Sequence, residues 1–176
     1  GNKIASTDST QGIFAICKIP IERKPNFCDN GRYIVLLGLQ DPGNVGMIIR
    51  TADALGIDEI ILSNCCDLYS PKVIRSTMGS IFRTNIIIEN DIDKLFEMLS
   101  QNDVYSSASV VDKDAKNIID CSFDGSHAIF IGNEGNGLPE EISQRCDRKI
   151  TIPMYGTINS LNAAMAAGIL MWELKK

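Results

Sequence analysis

Two nearly unbroken apolar runs, Tyr33-Ile34-Val35-Leu36-Leu37-Gly38-Leu39 and His127-Ala128-Ile129-Phe130-Ile131-Gly132, limit what this chain can fold into. A strand with one wet face alternates apolar and polar residues. These runs do not, so each must be a strand buried on both faces, the condition met in parallel sheets covered by helices. Shorter β-branched runs alternate with amphipathic or capped stretches along the rest of the chain. The pattern predicts strands over 13–19, 33–39, 59–62, 85–88, 104–108, 127–131 and 149–152. Helices are expected over 44–55, 72–78, 92–99, 139–144 and 160–174. The expected class is α/β, a mainly parallel sheet with helices on both faces.

The 176 residues suffice for one compact domain, and 44% hydrophobic with 22% charged residues excludes disordered and collagen-like chains. The six cysteines form no Cys-x-x-Cys pair and His127 is the only histidine, so no metal site is expected. Scattered cysteines fit reduced thiols and a cytoplasmic location. Residues 150–172 carry no charge, but Pro153, Gly156, Asn159 and Asn162 interrupt them, and the apolar remainder is too short to cross a bilayer. The first residues have neither an initiator Met nor the apolar core of a signal peptide. The expectation is therefore a tail or linker over 1–20, following an RNA-recruiting domain of a longer chain, and a globular domain over 21–176.

Three loops leaving the strands carry unusual residues, where open α/β sheets bind ligands. The first runs from Asp41 to Arg50. Pro42 and Gly43 make the turn, and either Asp41 or Asn44 can cap the following helix. Gly46 and Arg50 lie one helical turn apart. They form either an anion site, with space beside a guanidinium, or an ordinary packing contact beside a solvated arginine. The second, Ile131-Gly132-Asn133-Glu134-Gly135-Asn136-Gly137-Leu138-Pro139, permits close backbone approach to a ligand but has neither the Walker nor the dinucleotide glycine order. The third runs from Ile152 through Pro153, Met154 and Gly156 to Ser160, Leu161 and Asn162. Ser160 is a plausible N-cap for the last helix, with Asn162 in its first turn and its amide outward.

Taken in order, N-x-G-x-x-x-R-T-A, G-N-E-G-x-G-L and I-P-M-x-G-x-x-x-S-L-N resemble the signature motifs of the SpoU (TrmH) family of RNA 2′-O-ribose methyltransferases, in the SPOUT superfamily. The resemblance runs from about Tyr33 to Leu174, and the stretch Gln11-Gly12-Ile13 looks like the link found in two-domain members. It implies a C-terminal trefoil knot, against the general rule that chains are unknotted. It also implies S-adenosylmethionine held by Ile131, Gly132, Asn133, Gly135, Ile152, Met154, Ser160, Leu161 and Asn162. Arg50, Asn44, Glu134, Ser160 and Asn162 would form the catalytic shell, and two copies would pair through the C-terminal helix.

The activity implied is methyl transfer to a ribose 2′-OH in RNA, ribosomal RNA ahead of transfer RNA. The alternative is a non-catalytic RNA-binding or assembly module that keeps the fold. The matching arginine is often assigned as the base. A guanidinium gives up its proton too reluctantly for that, so Arg50 is better read as a clamp on phosphate and developing oxyanion. A net charge of −5 is unusual for an RNA partner, but charge distribution matters more than the sum. Lys72, Arg75 and Arg83, free of acidic neighbours between Pro71 and Asn85, are with Arg50 the expected RNA-facing patch. Ala163 and Ala164 stand where the family often has Val and Ser or Ala, a difference of packing.

Overall fold

A computed structural model describes residues 16, 18–19 and 23–176. Seven parallel strands form one sheet in the order β3-β2-β1-β6-β4-β7-β5. They are β1 (Arg32–Leu37), β2 (Glu59–Ser63), β3 (Ile86–Ile88), β4 (Tyr105–Ser109), β5 (Lys116–Asn117), β6 (His127–Ile131) and β7 (Arg148–Thr151). Helices α1 (Pro42–Leu55), α2 (Pro71–Ser76), α3 (Ile92–Gln101), α4 (Glu140–Arg145) and α5 (Ala163–Lys175) cover it. The two apolar runs are neighbours in the centre, with Val35 paired to Phe130.

Strand periodicity sorts the core into two layers. Ile34, Leu36, Ile60, Ile129 and Ile131 point to the face covered by α1, α2 and α5. Tyr33, Val35, Ile61, Ala128 and Phe130 point to the face covered by α3 and α4. Both faces are dry, which is why these strands carry no polar alternation. After β6 the chain returns through α4 and β7 to α5, which lies against α1; this strand order is consistent with the expected trefoil knot.

The last helix starts later than its expected beginning at 160. Asn162 is its N-cap, with Oδ1 accepting from the N–H groups of Ala164 at 2.9 Å and Met165 at 3.3 Å. Ser160 therefore caps nothing, and the Asn162 amide turns inward. At the head of α1 the cap is Asp41, whose Oδ1 accepts from Gly43 N–H at 2.6 Å and Asn44 N–H at 3.1 Å. The two-residue β5 and the short 3-10 turns at Ser80–Phe82 and Ile118–Asp120 have no counterpart in the sequence reading. The strand expected over 13–19 lies mostly outside the described residues, as does the Gln11-Gly12-Ile13 link; Ile16, Lys18 and Ile19 are in no strand.

The Arg32 guanidinium fastens the far end of the sheet. It donates to the carbonyls of Phe123 at 2.7 Å and Leu174 at 2.9 Å, and also to that of Gly125.

Candidate active site

A cleft of about 520 Å³ opens at the C-terminal ends of β4, β6 and β7, a volume in the range of small-molecule sites. Its walls are residues 109–112 after β4, the glycine-rich loop 131–138 after β6, and Ile152, Met154 and 159–161 after β7. Ala163 and Ala166 of α5 close one side, their small side chains leaving the space open.

The glycine-rich loop holds its shape through one side chain. Asn133 Oδ1 accepts from the N–H groups of Gly135 at 3.0 Å and Asn136 at 2.7 Å, and Gly137 N–H donates to the Asn133 carbonyl at 3.1 Å. The loop folds back so closely that a Cβ on Gly132 would stand 2.0 Å from the Gly137 carbonyl carbon. Gly137 itself has a φ of 67°, which glycine adopts without cost.

From this loop Glu134 reaches back to the first motif. Its carboxylate accepts from the side-chain amide of Asn44 at 3.1 Å and from the backbone N–H groups of Asp41 at 3.3 Å and Gln40 at 3.5 Å. Asn44, 8% exposed, accepts in turn from the Asn162 side-chain amide at 3.0 Å. One hydrogen-bonded chain thus joins all three motifs. Burial would raise the Glu134 carboxyl, but the bonds from Asn44 and the backbone outweigh it and hold the group below the usual carboxylate range. Glu134 is therefore an anion at neutral pH.

Eight of the nine residues expected to hold a cofactor line this cleft: Ile131, Gly132, Asn133, Gly135, Ile152, Met154, Ser160 and Leu161. Asn162 does not; it caps α5 behind the wall. Of the expected catalytic residues, Glu134 and Ser160 line the cleft, Asn44 sits behind Glu134, and Arg50 lies apart on the exposed side of α1. Among the described residues Arg50 makes no side-chain hydrogen bond or ion pair. Gly46 opens no space beside it: a Cβ there would stand 2.2 Å from Ser76 Cβ and 3.0 Å from the Val73 carbonyl oxygen, so this glycine lets α2 pack on α1.

Lys72 and Arg75 are exposed on α2, whereas Arg83 is neutralised by Asp53, whose Oδ2 accepts from its Nε at 3.0 Å and its terminal nitrogen at 2.7 Å. The wall at 109–112, with Lys149 and Asn159, escaped the sequence reading; its one available signal was position just beyond strand ends. Among the described residues, no group of His, Cys, Asp and Glu could hold a metal ion and no helix is long and apolar enough to cross a membrane.

The SpoU rRNA Methylase family matches residues 31–172, from the start of the sheet to the last turns of α5. The chain belongs to this family. Among its SpoU relatives is the 23S rRNA (guanosine(2553)-2′-O)-methyltransferase RlmP of Bacillus subtilis, 33% identical over 175 residues, which are 98% of this chain and 68% of that protein. Among solved structures, the SpoU methyltransferase AviRb from Streptomyces viridochromogenes superposes with a TM-score of 0.78 at 29% identity, over 84% of this chain and 60% of that one. The S-adenosylmethionine-bound rRNA methyltransferase from Sinorhizobium meliloti gives 0.75 at 33% identity, over 84% of this chain and 56% of that one. The chain thus spans from just over half to two thirds of the length of these SpoU proteins.

The cleft fits the cofactor of such enzymes. Its apolar side chains Val111, Leu138, Ile152, Met154 and Leu161 suit an adenine ring, and the backbone groups of 131–138 can fix its edge. The carboxylates of Glu134 and Asp112 on the wall complement a cationic sulfonium and ammonium.

Proposed function

We propose that this chain transfers a methyl group from S-adenosylmethionine to a ribose 2′-OH of RNA, with ribosomal RNA the favoured substrate, acting in the cytoplasm. The observation that carries this reading is the hydrogen-bonded chain Glu134–Asn44–Asn162, which draws the three motifs together at the rim of the cleft. Likeness to RlmP and to rRNA methyltransferases supports the substrate class.

S-adenosylmethionine supplies a methyl group on a sulfonium, already activated for in-line attack by an oxygen. The protein's task is alignment. The backbone around Gly132, Ile152, Met154 and Leu161 would hold the cofactor, and Ser160, on the cleft wall, would orient the attacking hydroxyl. Glu134 stays ionised and fixes Asn44, so the loop after β1 keeps its place when RNA arrives. Arg50 would grip the neighbouring phosphate through paired N–H donors and stabilise charge on the attacking oxygen.

Arg50 does not line the cleft of its own chain, so the proposal includes a second copy that brings its Arg50 to this cleft. The surface for pairing is the outer side of α1 and α5, where Met47, Met165 and Trp172 are each more than half exposed. Lys72 and Arg75 extend the RNA-facing side.

The test is transfer of tritium from labelled S-adenosylmethionine to purified ribosomal and transfer RNA, followed by mapping of 2′-O-methyl positions. Label in ribosomal RNA at a ribose oxygen is the expected result. Tight cofactor binding with no label in any RNA would overturn the proposal.

A further inference from the structure

The segment from Pro71 to Arg83, which packs on α1, turns its large apolar side chains outward: Met78 is 70% exposed and Phe82 80%. Its buried positions are Val73, Thr77 and Ser80, and the Thr77 hydroxyl is satisfied by the Ile74 carbonyl at 2.7 Å. With the small residues turned in, the large ones are left in solvent. The corner between α2 and the 3-10 turn is left-handed at both Met78, φ 49°, and Gly79, φ 87°, and it carries Phe82 onto the surface. For a non-glycine residue that conformation is uncommon.

A single exposed ring is ordinary in itself. What sets Phe82 apart is the charge around it. Lys72 and Arg75 are exposed on the same segment, and no acidic residue lies between Pro71 and Asn85, in a chain whose net charge is −5. Arg50 borders the segment as well. On α1, Gly46 meets Ser76 and Asp53 binds Arg83. Arg50 follows Gly46 by one helical turn and precedes Asp53 by another, so it stands on the edge of α1 that looks toward Met78 and Phe82. The pairing surface around Met47, Met165 and Trp172 lies on the other side of α1, where Thr51 approaches Gly168. Pairing there leaves Phe82 open.

A chain of phosphates that also offers flat apolar faces complements this surface. Single-stranded RNA is such a chain, whereas a duplex keeps its base faces stacked on one another and has none to give the ring. We propose that Met78 and Phe82 form a stacking platform for unpaired bases flanking the methylated ribose, with Lys72 and Arg75 holding the backbone beside them. The proposal rests on the RNA-methylation reading and deepens it: the substrate is presented unpaired, and the subunit that supplies Arg50 also carries the strand leading to it.

The test is binding of a fluorescent short oligouridine to the whole chain, followed by anisotropy. Phe82→Ala is expected to weaken binding by about tenfold and Phe82→Trp to retain it, with S-adenosylmethionine affinity unchanged in both. The dependence on salt should keep its slope in Phe82→Ala and become shallower in Lys72→Ala, because only the second loses a phosphate contact. The same oligouridine annealed to oligoadenosine should bind more weakly than the single strand and ignore Phe82→Ala. Wild-type oligouridine binding by Phe82→Ala, or equal affinity for single strand and duplex, would overturn the platform. So would sedimentation showing that Phe82→Ala breaks up a wild-type dimer, which would give the ring to pairing of copies. Weakened binding by Phe82→Ala in a protein that methylates no RNA would uphold the platform and overturn the methylation reading. Methylation by Phe82→Ala with wild-type KM for RNA would do the reverse.

Discussion

Asn162 hands its side-chain amide to Asn44 across 3.0 Å, bridging 118 positions of sequence and pinning the start of α5 to the first turn of α1. The N-terminus of α1 so held faces Glu134, where its partial positive charge favours the carboxylate. The Asn44 and Asn162 side chains are spent on this geometry, which makes them positioning residues for the cleft.

Asn162→Ala removes a helix cap, costing about 1 kcal/mol, and orphans the buried Asn44 oxygen at a further ~1–3 kcal/mol. Thermal denaturation should show a clear fall in Tm. Asn162→Asp keeps the cap but loses the donor and should fall between. Wild-type melting of the Ala variant would mean that the bridge contributes nothing to stability.

Gly46→Ala should destabilise the protein by about 1–3 kcal/mol through overpacking, because the new methyl meets Ser76 Cβ at 2.2 Å. Pairing it with Ser76→Gly removes that atom and should restore part of the loss in denaturant titrations; the Val73 carbonyl at 3.0 Å remains. A double variant no more stable than Gly46→Ala would place the strain elsewhere.

His127 is the only histidine and is buried between Tyr105 and Phe123. Burial first, then the charges of Arg148 and Arg32, lower its pKa, with the Gly125 carbonyl opposing. The unfolded chain therefore takes up this proton at higher pH than the folded one. Stability is full above the ordinary histidine range and falls as pH drops toward the lowered folded value. His127→Phe should flatten that part of the pH profile in chemical denaturation and leave the separate loss, at lower pH, from protonation of Glu134. An unchanged profile would assign the slope to other groups.

Arg50 in the cleft of a second copy makes a sharp prediction about mixed dimers. Arg50→Ala and Gly132→Ala should each be inactive alone, the latter because its Cβ would collide with the Gly137 backbone. Co-expressed and isolated as a heterodimer, they should recover one working site, an intact cleft served by an intact arginine. No recovery would mean that arginine and cleft work within one chain. Arg50→Lys should lose most turnover at saturating RNA, since a lysine cannot present paired donors.

The central strands were readable because burial on both faces leaves no polar residue in them, and the three motifs because each concentrates glycine or amide chemistry at a strand end. What the sequence did not show depends on distant partners. Ser160 and Asn162 are equally good caps in isolation, and the bond to Asn44 decides between them. Gly46 looks like an opening until Ser76 is brought against it. The wall at 109–112 carries no pattern of its own and acquires a role from the pairing of β4 with β6. The two residues of β5 are too few to show a period.

The strand that occupies the middle of the sheet, His127–Ile131, comes late in the chain, between β1 and β4. During synthesis the earlier strands must wait on the ribosome as one paired trio, β3-β2-β1, and two lone strands, β4 and β5, which only β6 and β7 can join to it. Such gaps slow folding and invite misplaced strands, so the chain's passage through biogenesis is governed by the emergence of its last two strands.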